Sequence, residues 1–161
     1  MKVVVLKFGG TSVGTIEKIK KVAEIIANYK KKNYKVIVVS SAMSGVTNDL
    51  VRKSEEISES FSASEYDVLV SAGEQVACSL IAGRLIHKGF KSRSWLAWQI
   101  PIFTTGFHKN SRISQINKNK ITKYLKEGGI PIITGFQGVN IEDRITTIGR
   151  GGSDTSAIMI A

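Results

Sequence analysis

Lys7-Phe8-Gly9-Gly10-Thr11-Ser12-Val13-Gly14 sets how the rest of the chain is read. An apolar run, Val3 to Leu6, precedes it and a helical pattern beginning near Glu17 follows, which makes a strand, a glycine turn and a helix start. Paired glycines let the backbone approach a ligand with no Cβ in the way, and amides at the head of a helix offer unpaired donors to an anion. Lys7 adds a fixed positive charge at the strand end. The stretch predicts a phosphate cradle; a plain strand-to-helix turn with Lys7 solvated at its edge is the competing reading. Neither familiar nucleotide fingerprint is present, because no Gly-Lys-Ser/Thr follows and the glycines do not fall as G-x-G-x-x-G.

Downstream, Ile16, Ile19, Val22, Ala23, Ile26 and Tyr29 recur at helical spacing as far as Lys30-Lys31-Lys32. Those lysines suit the negative end of a helix, and Asn33 can close it. Val36 to Val39 is a second buried strand, so the first forty residues form a βαβ unit and the class is α/β with a mainly parallel sheet. The hydroxyl-rich loop Ser40 to Asn48 lies at the carboxyl end of that strand, where open α/β sheets place their ligands. Its hydroxyls equally suit capping of the next helix. A helical stretch through Glu56 and a polar connector, Ser58 to Ser64, come next. Glu65 to His87 reads as helix interrupted at Ser71-Ala72-Gly73-Glu74-Gln75 and ending at Gly89. Glu74 is open to two readings: a carboxylate needing a cationic partner, or an acid at a helix N-terminus served by the dipole.

Arg93 to Ala97 can form another strand, and Trp98 to Thr105, which carries Pro101, an edge strand or loop. Trp95 and Trp98 are assigned to the core. Asn117 to Glu127 is a helix closed by Gly128-Gly129, and Ile130 to Thr134 is a strand leading into Gly135-Phe136-Gln137-Gly138. Val139 to Ile148 has the pattern of a hairpin turning at Glu142-Asp143. It delivers Gly149-Arg150-Gly151-Gly152-Ser153-Asp154-Thr155-Ser156, a second glycine loop opening a helix. Two such loops, each with one strong cation, point to anion handling.

The chain has 161 residues, 42% hydrophobic and 22% charged, which suits one domain with a proper core. No apolar run approaches the roughly 18 residues of a membrane span, and the expectation is a cytoplasmic protein with no membrane partner. The single cysteine, Cys78, is expected as a small core residue, and His87 and His108 are isolated and expected to be solvated or capping. The net charge of +10 comes mainly from lysines spread over Lys18 to Lys35 and Lys109 to Lys126. No aromatic-interleaved or helix-turn-helix motif accompanies them, so solvated helix faces are expected, not nucleic-acid binding, with a general preference for anionic substrates.

Four pieces in this order, Lys7 to Val13, Ser71 to Glu74, Gly135 to Gly138 and Thr147 to Asp154, resemble the aspartokinases of the amino-acid kinase superfamily, and the resemblance runs through the whole chain. It implies a three-layer α/β/α sandwich and transfer of the ATP γ-phosphate to the side-chain carboxylate of L-aspartate, the first step toward lysine, threonine and methionine. It also implies roles for individual residues. Lys7, Gly9 and Gly10 would stabilise the moving phosphoryl group with Ser12 near the phosphates, and Asp154 would orient Lys7. Arg150 and Glu74 would take the α-carboxylate and ammonium of aspartate, with Thr47 and Ser153 as hydroxyl partners. Magnesium would arrive with ATP, and no protein metal site is expected.

The same resemblance implies further strands for adenine and ribose and small regulatory domains beyond residue 161. Residues 1–161 are therefore expected to be the amino-terminal, aspartate-binding part of a catalytic domain. A homo-oligomer or a completing chain would follow. Alternatives are a related kinase acting on glutamate or acetylglutamate, and a fragment that binds without turnover.

Overall fold

Residues 35–40 are buried on both faces: Val36 and Val38 enter one apolar core, and Ile37 and Val39 enter another. Side chains alternate across a strand, so a strand apolar at every position needs cover on both sides. A computed structural model, which describes residues 2–149 and 151–161, supplies that cover. In chain order its elements are β1 (Val3–Phe8), α1 (Ile16–Lys31), β2 (Lys35–Ser40), α2 (Val46–Ile57), α3 (Ala63–His87), β3 (Ser92–Trp95), β4 (Ile102–Thr105), β5 (Arg112–Ile116), α4 (Asn119–Lys126), β6 (Ile130–Thr134), β7 (Gln137–Val139), β8 (Ile145–Thr147) and α5 (Gly152–Ile160).

The first sheet has the order β1-β2-β6-β3, parallel throughout, with Val4 opposite Val36, Val38 opposite Ile132 and Ser94 opposite Ile132. Ile19, Val22 and Ile26 of α1 and Ala77, Ile81 and Leu85 of α3 cover one face. Ile121 and Leu125 of α4 and Ala157 and Ile160 of α5 cover the other. The result is a three-layer α/β/α sandwich. A second sheet, β5-β4-β7-β8, is mixed: β4 runs antiparallel to β5 with a register shift at Phe103/Thr104, and parallel to β7, which forms a hairpin with β8.

Local chemistry explains the helix ends. Thr15 Oγ1 accepts from Lys18 N at 3.3 Å to cap α1, Lys30 and Lys31 occupy its last turn, and Asn33 follows in the left-handed region (φ 62°). Gly89, at φ 85°, follows the end of α3.

Four expectations are corrected. α3 is continuous from Ala63, so there is no interruption at Ser71 to Gln75 and the connector is shorter than Ser58 to Ser64. Gly73 does not break the helix; it permits close approach, since a Cβ there would lie 2.8 Å from Ala42 Cβ. Trp98 is 51% exposed, whereas Trp95 is buried with its ring edge-on to Tyr124. His108 is bonded to a buried carboxylate. α3 is long and apolar enough to cross a bilayer, yet half of its most apolar window is buried within the fold.

Candidate active site

β1, β2 and β6 all run the same way, so their carboxyl ends open on one side of the sheet. A cleft of about 300 Å³ lies there, lined by Lys7, Gly10, residues 41–45, Thr47, Glu74, Phe136, Gly149 and residues 151–154. A separate cavity of about 230 Å³, lined chiefly by Ile37, Ile100, Ile121, Leu125 and Ile133, holds no acidic side chain. The first cleft joins acids, a cation, hydroxyls and glycine loops.

Lys7 leaves the end of β1 and places Nζ 2.9 Å from Asp154 Oδ1, in the first turn of α5. The lysine is 30% and the aspartate 64% exposed, so water screens the pair; it orients Lys7 more than it stabilises the fold. α5 opens on Gly151 (φ 77°) with no side chain among the described residues capping its first turn, which leaves the positive end of its dipole toward the cleft.

Glu74 is the buried acid of the site. About three turns into α3, it is 3% exposed, and its Oε1 accepts from Ala42 N at 3.1 Å. The close approach at Gly73 makes that bond possible. Among the described residues, its Oε2 is buried without a partner. Burial pushes the carboxyl up to about 7, outweighing the Ala42 amide that pulls the other way. The helix N-terminal reading of Glu74 is thereby removed, since α3 starts eleven residues earlier at Ala63.

Of the residues singled out in the sequence, Lys7, Gly10, Thr47, Glu74, Ser153 and Asp154 meet in this cleft. Gly9 and Ser12 do not line it: a Cβ on Gly9 would sit 3.4 Å from Lys7 Nζ, and Ser12 is exposed in the turn, its amide donating to Gly9 O at 2.9 Å. Arg150 lies outside the described residues. The loop from Gly9 to Gly14 is also not the head of α1, which Thr15 caps. It packs instead on residues 41–45, through Ser41 N to Phe8 O and Ser44 N to Gly10 O. Sequence reasoning gave no role to Ala42 N or Phe136. Phe136 has φ 68°, a conformation rare for a bulky side chain, and its carbonyl accepts from Ile148 N.

The model of the amino acid kinase family matches residues 2–161. An aspartokinase of Rickettsia conorii is 49% identical over all of this chain and 41% of its own length, and one from Geobacillus stearothermophilus is 47% identical over all of this chain and 40% of its own. The chain thus spans about two fifths of the curated relatives it matches. Among solved structures, an aspartate kinase from Synechocystis superposes with a TM-score of 0.83 at 37% identity, over 100% of this chain and 26% of that one. Aspartokinase III of E. coli, in complex with lysine and aspartate, shares the fold at a TM-score of 0.87 and 24% identity over 99% of this chain and 46% of that one. A family match over nearly every residue, together with a cleft at the carboxyl ends of a parallel sheet, leads to one assignment: the chain belongs to the amino acid kinase family.

Proposed function

We propose that these residues are the aspartate-binding part of an aspartate kinase, which moves the γ-phosphate of ATP to the side-chain carboxylate of L-aspartate. The observation that carries this reading is Glu74 Oε2, a buried carboxylate oxygen with no partner among the described residues, in a cleft that also holds Lys7. Such an oxygen calls for a cation, and the ammonium of a free α-amino acid supplies one. The aspartokinase relatives support the same choice. Glutamate shares that ammonium, but acetylglutamate has an acylated amine and would leave Glu74 unpaired.

The chemistry asks little of a general base. A carboxylate with a reference pKa of about 3.9 is already ionised at neutral pH. Its oxygen attacks the γ-phosphorus, the bond to the β,γ-bridging oxygen breaks, and ADP leaves with that electron pair. Negative charge spreads over the equatorial oxygens in transit, and Lys7, held by Asp154, neutralises it with the amides of Gly9 and Gly10. Ser12 takes a position near the phosphates. Arg150 takes the α-carboxylate as a bidentate fork, and Thr47 and Ser153 bond the substrate through their hydroxyls. Magnesium accompanies ATP as part of the substrate, with ligands drawn from phosphate oxygens and water. The setting is the cytoplasm, and the working form a homo-oligomer or a complex with a completing chain.

The test incubates the purified chain with magnesium-ATP and L-aspartate and traps acyl phosphate with hydroxylamine. Hydroxamate is expected, and Lys7→Ala is expected to lower its formation by about 10²–10³-fold. Aspartate binding without hydroxamate would overturn turnover by this chain and leave a binding fragment. Equal use of acetylated and free amino acids would overturn the role of Glu74.

A further inference from the structure

Seven residues before Glu74, on the same face of α3, lies a second carboxylate that the reaction does not use. Asp67 has a fully buried side chain, and both of its oxygens are taken. Thr147 Oγ1 donates to Oδ1 at 2.6 Å, the Lys109 amide reaches both oxygens at 3.0 and 3.1 Å, and His108 Nδ1 donates to Oδ2 at 2.6 Å. With its acceptors occupied, Asp67 has nothing left for a ligand. A buried carboxylate is nonetheless expensive to keep, and a pair of methyl-sized groups would fill the same space more cheaply.

The partners show what it holds. Thr147 is the last residue of β8, two positions before Gly149, and its carbonyl accepts from Ser111 N at 2.9 Å. Residues 107–111 form a tight turn in which Ser111 Oγ and Asn110 N both donate to Phe107 O. Asn110 from this turn abuts Gly149, where a Cβ would lie 2.7 Å from Asn110 Oδ1. Gly149 has φ 24°, and its carbonyl accepts from Gly152 N at 3.1 Å to start α5. The two walls that grip Gly149, β8 on one side and the 107–111 turn on the other, are thus tied to one carboxylate on α3. Ser71 O, one turn along the same face, accepts from Gln137 Nε2 of β7 at 3.1 Å. Glu74 then meets Ala42 on the far wall of the cleft.

We propose that Asp67 is a positioning residue for Gly149 and the start of α5: it fixes Gly149, and with it Ser153 and Asp154, at a set distance from Glu74 through the rigid helix between them. This rests on the reading of the cleft as the active site. Displacement of a binding group by about 1 Å can lower a rate by about 10²-fold, so a strut this far from the reacting atoms has leverage.

The test compares Asp67→Ala, Asp67→Asn and Thr147→Val with the unaltered chain by amide hydrogen exchange and by the hydroxamate assay. Thr147→Val removes one tie at nearly constant volume and covers the case in which Asp67→Ala fails to fold. The expected result is faster exchange, by about tenfold or more, at Ile148, Gly152 and Asp154, with core amides such as Val38 and Ile81 changed by less than about twofold. KM for aspartate should rise by about tenfold in Thr147→Val. Asp67→Asn should recover part of both effects, because its oxygen still accepts from Thr147 and Lys109 and its amide can donate to the other His108 tautomer. Uniform acceleration across the fold, with KM and kcat unchanged per folded molecule, would make Asp67 a general stability residue and overturn the proposal. Absence of hydroxamate from the unaltered chain would count only against turnover by this chain, and the exchange pattern would still decide the role of Asp67.

Discussion

Asp67 and Glu74 are two carboxylates on one face of α3, both removed from water, and their surroundings are opposite. Asp67 accepts from a threonine, a histidine and a backbone amide, so its charge is dispersed over bonds that are already made. Glu74 accepts from one amide and, among the described residues, leaves an oxygen bare, and burial raises its carboxyl to about 7. A saturated buried acid holds structure together. An unsaturated one keeps binding capacity in reserve, at the expense of the folded state.

The sharpest way to break this contrast is through substrate. Glu74→Ala removes the carboxylate proposed to take the ammonium, and kcat/KM for aspartate in the hydroxamate assay is expected to fall by about 10²-fold or more. Retained activity would dissolve the difference between the two acids. Stability should reverse the order. Asp67→Ala leaves Thr147 Oγ1 and the Lys109 amide without their acceptor, and urea unfolding at pH 7 is expected to show a loss of about 3 kcal/mol.

Glu74→Gln is expected to be neutral or stabilising, depending on pH. Its folded value lies above the ordinary 4.5, so the stability tied to its protonated form is full below pH 4.5, declines as pH rises, and is gone once pH passes about 7. The glutamine variant should match the parent near pH 4 and exceed it by about 1–3 kcal/mol at pH 8, read from urea midpoints. Aspartate binding should run the other way. Only ionised Glu74 pairs with an ammonium, so calorimetric affinity should rise by about tenfold from pH 6 to pH 8. The smallest effect is at the neighbouring glycine: Gly73→Ala brings a methyl to 2.8 Å from Ala42 Cβ and should lower stability by about 1–2 kcal/mol while weakening aspartate binding.

The sequence made one of these acids readable and hid the other. Glu74 stands out because it follows a glycine on an apolar stretch, although that glycine, which by pattern reads as a break, is a point of contact between α3 and residues 41–45. Asp67 resembles an ordinary polar position near a helix start, and its partners Thr147, His108 and Lys109 come from distant segments. Its one local signal is spacing: Asp67, Val70, Ser71, Glu74, Ala77 and Cys78 share the buried face of α3. β1, α1, β2, α4, β6 and the β7–β8 hairpin were legible because period and turn chemistry agree there. β5 was not, since only Ile113 and Ile116 mark it and it pairs across a register shift. Trp98 was misplaced because hydrophobicity alone does not say which of two nearby tryptophans a sheet will cover.

The order of strands in the parallel sheet bears on how the protein is made. β6 lies between β2 and β3, with Ile132 opposite Val38 on one side and Ser94 on the other, yet a ribosome delivers it after both. Until it emerges, β2 and β3 face outward with unmatched edges, and on α3 Asp67 lacks Thr147 and the Ser71 carbonyl lacks Gln137. At about 5–20 residues per second the nascent chain spends seconds in that open form, a window for chaperone capture or for pairing with another nascent copy.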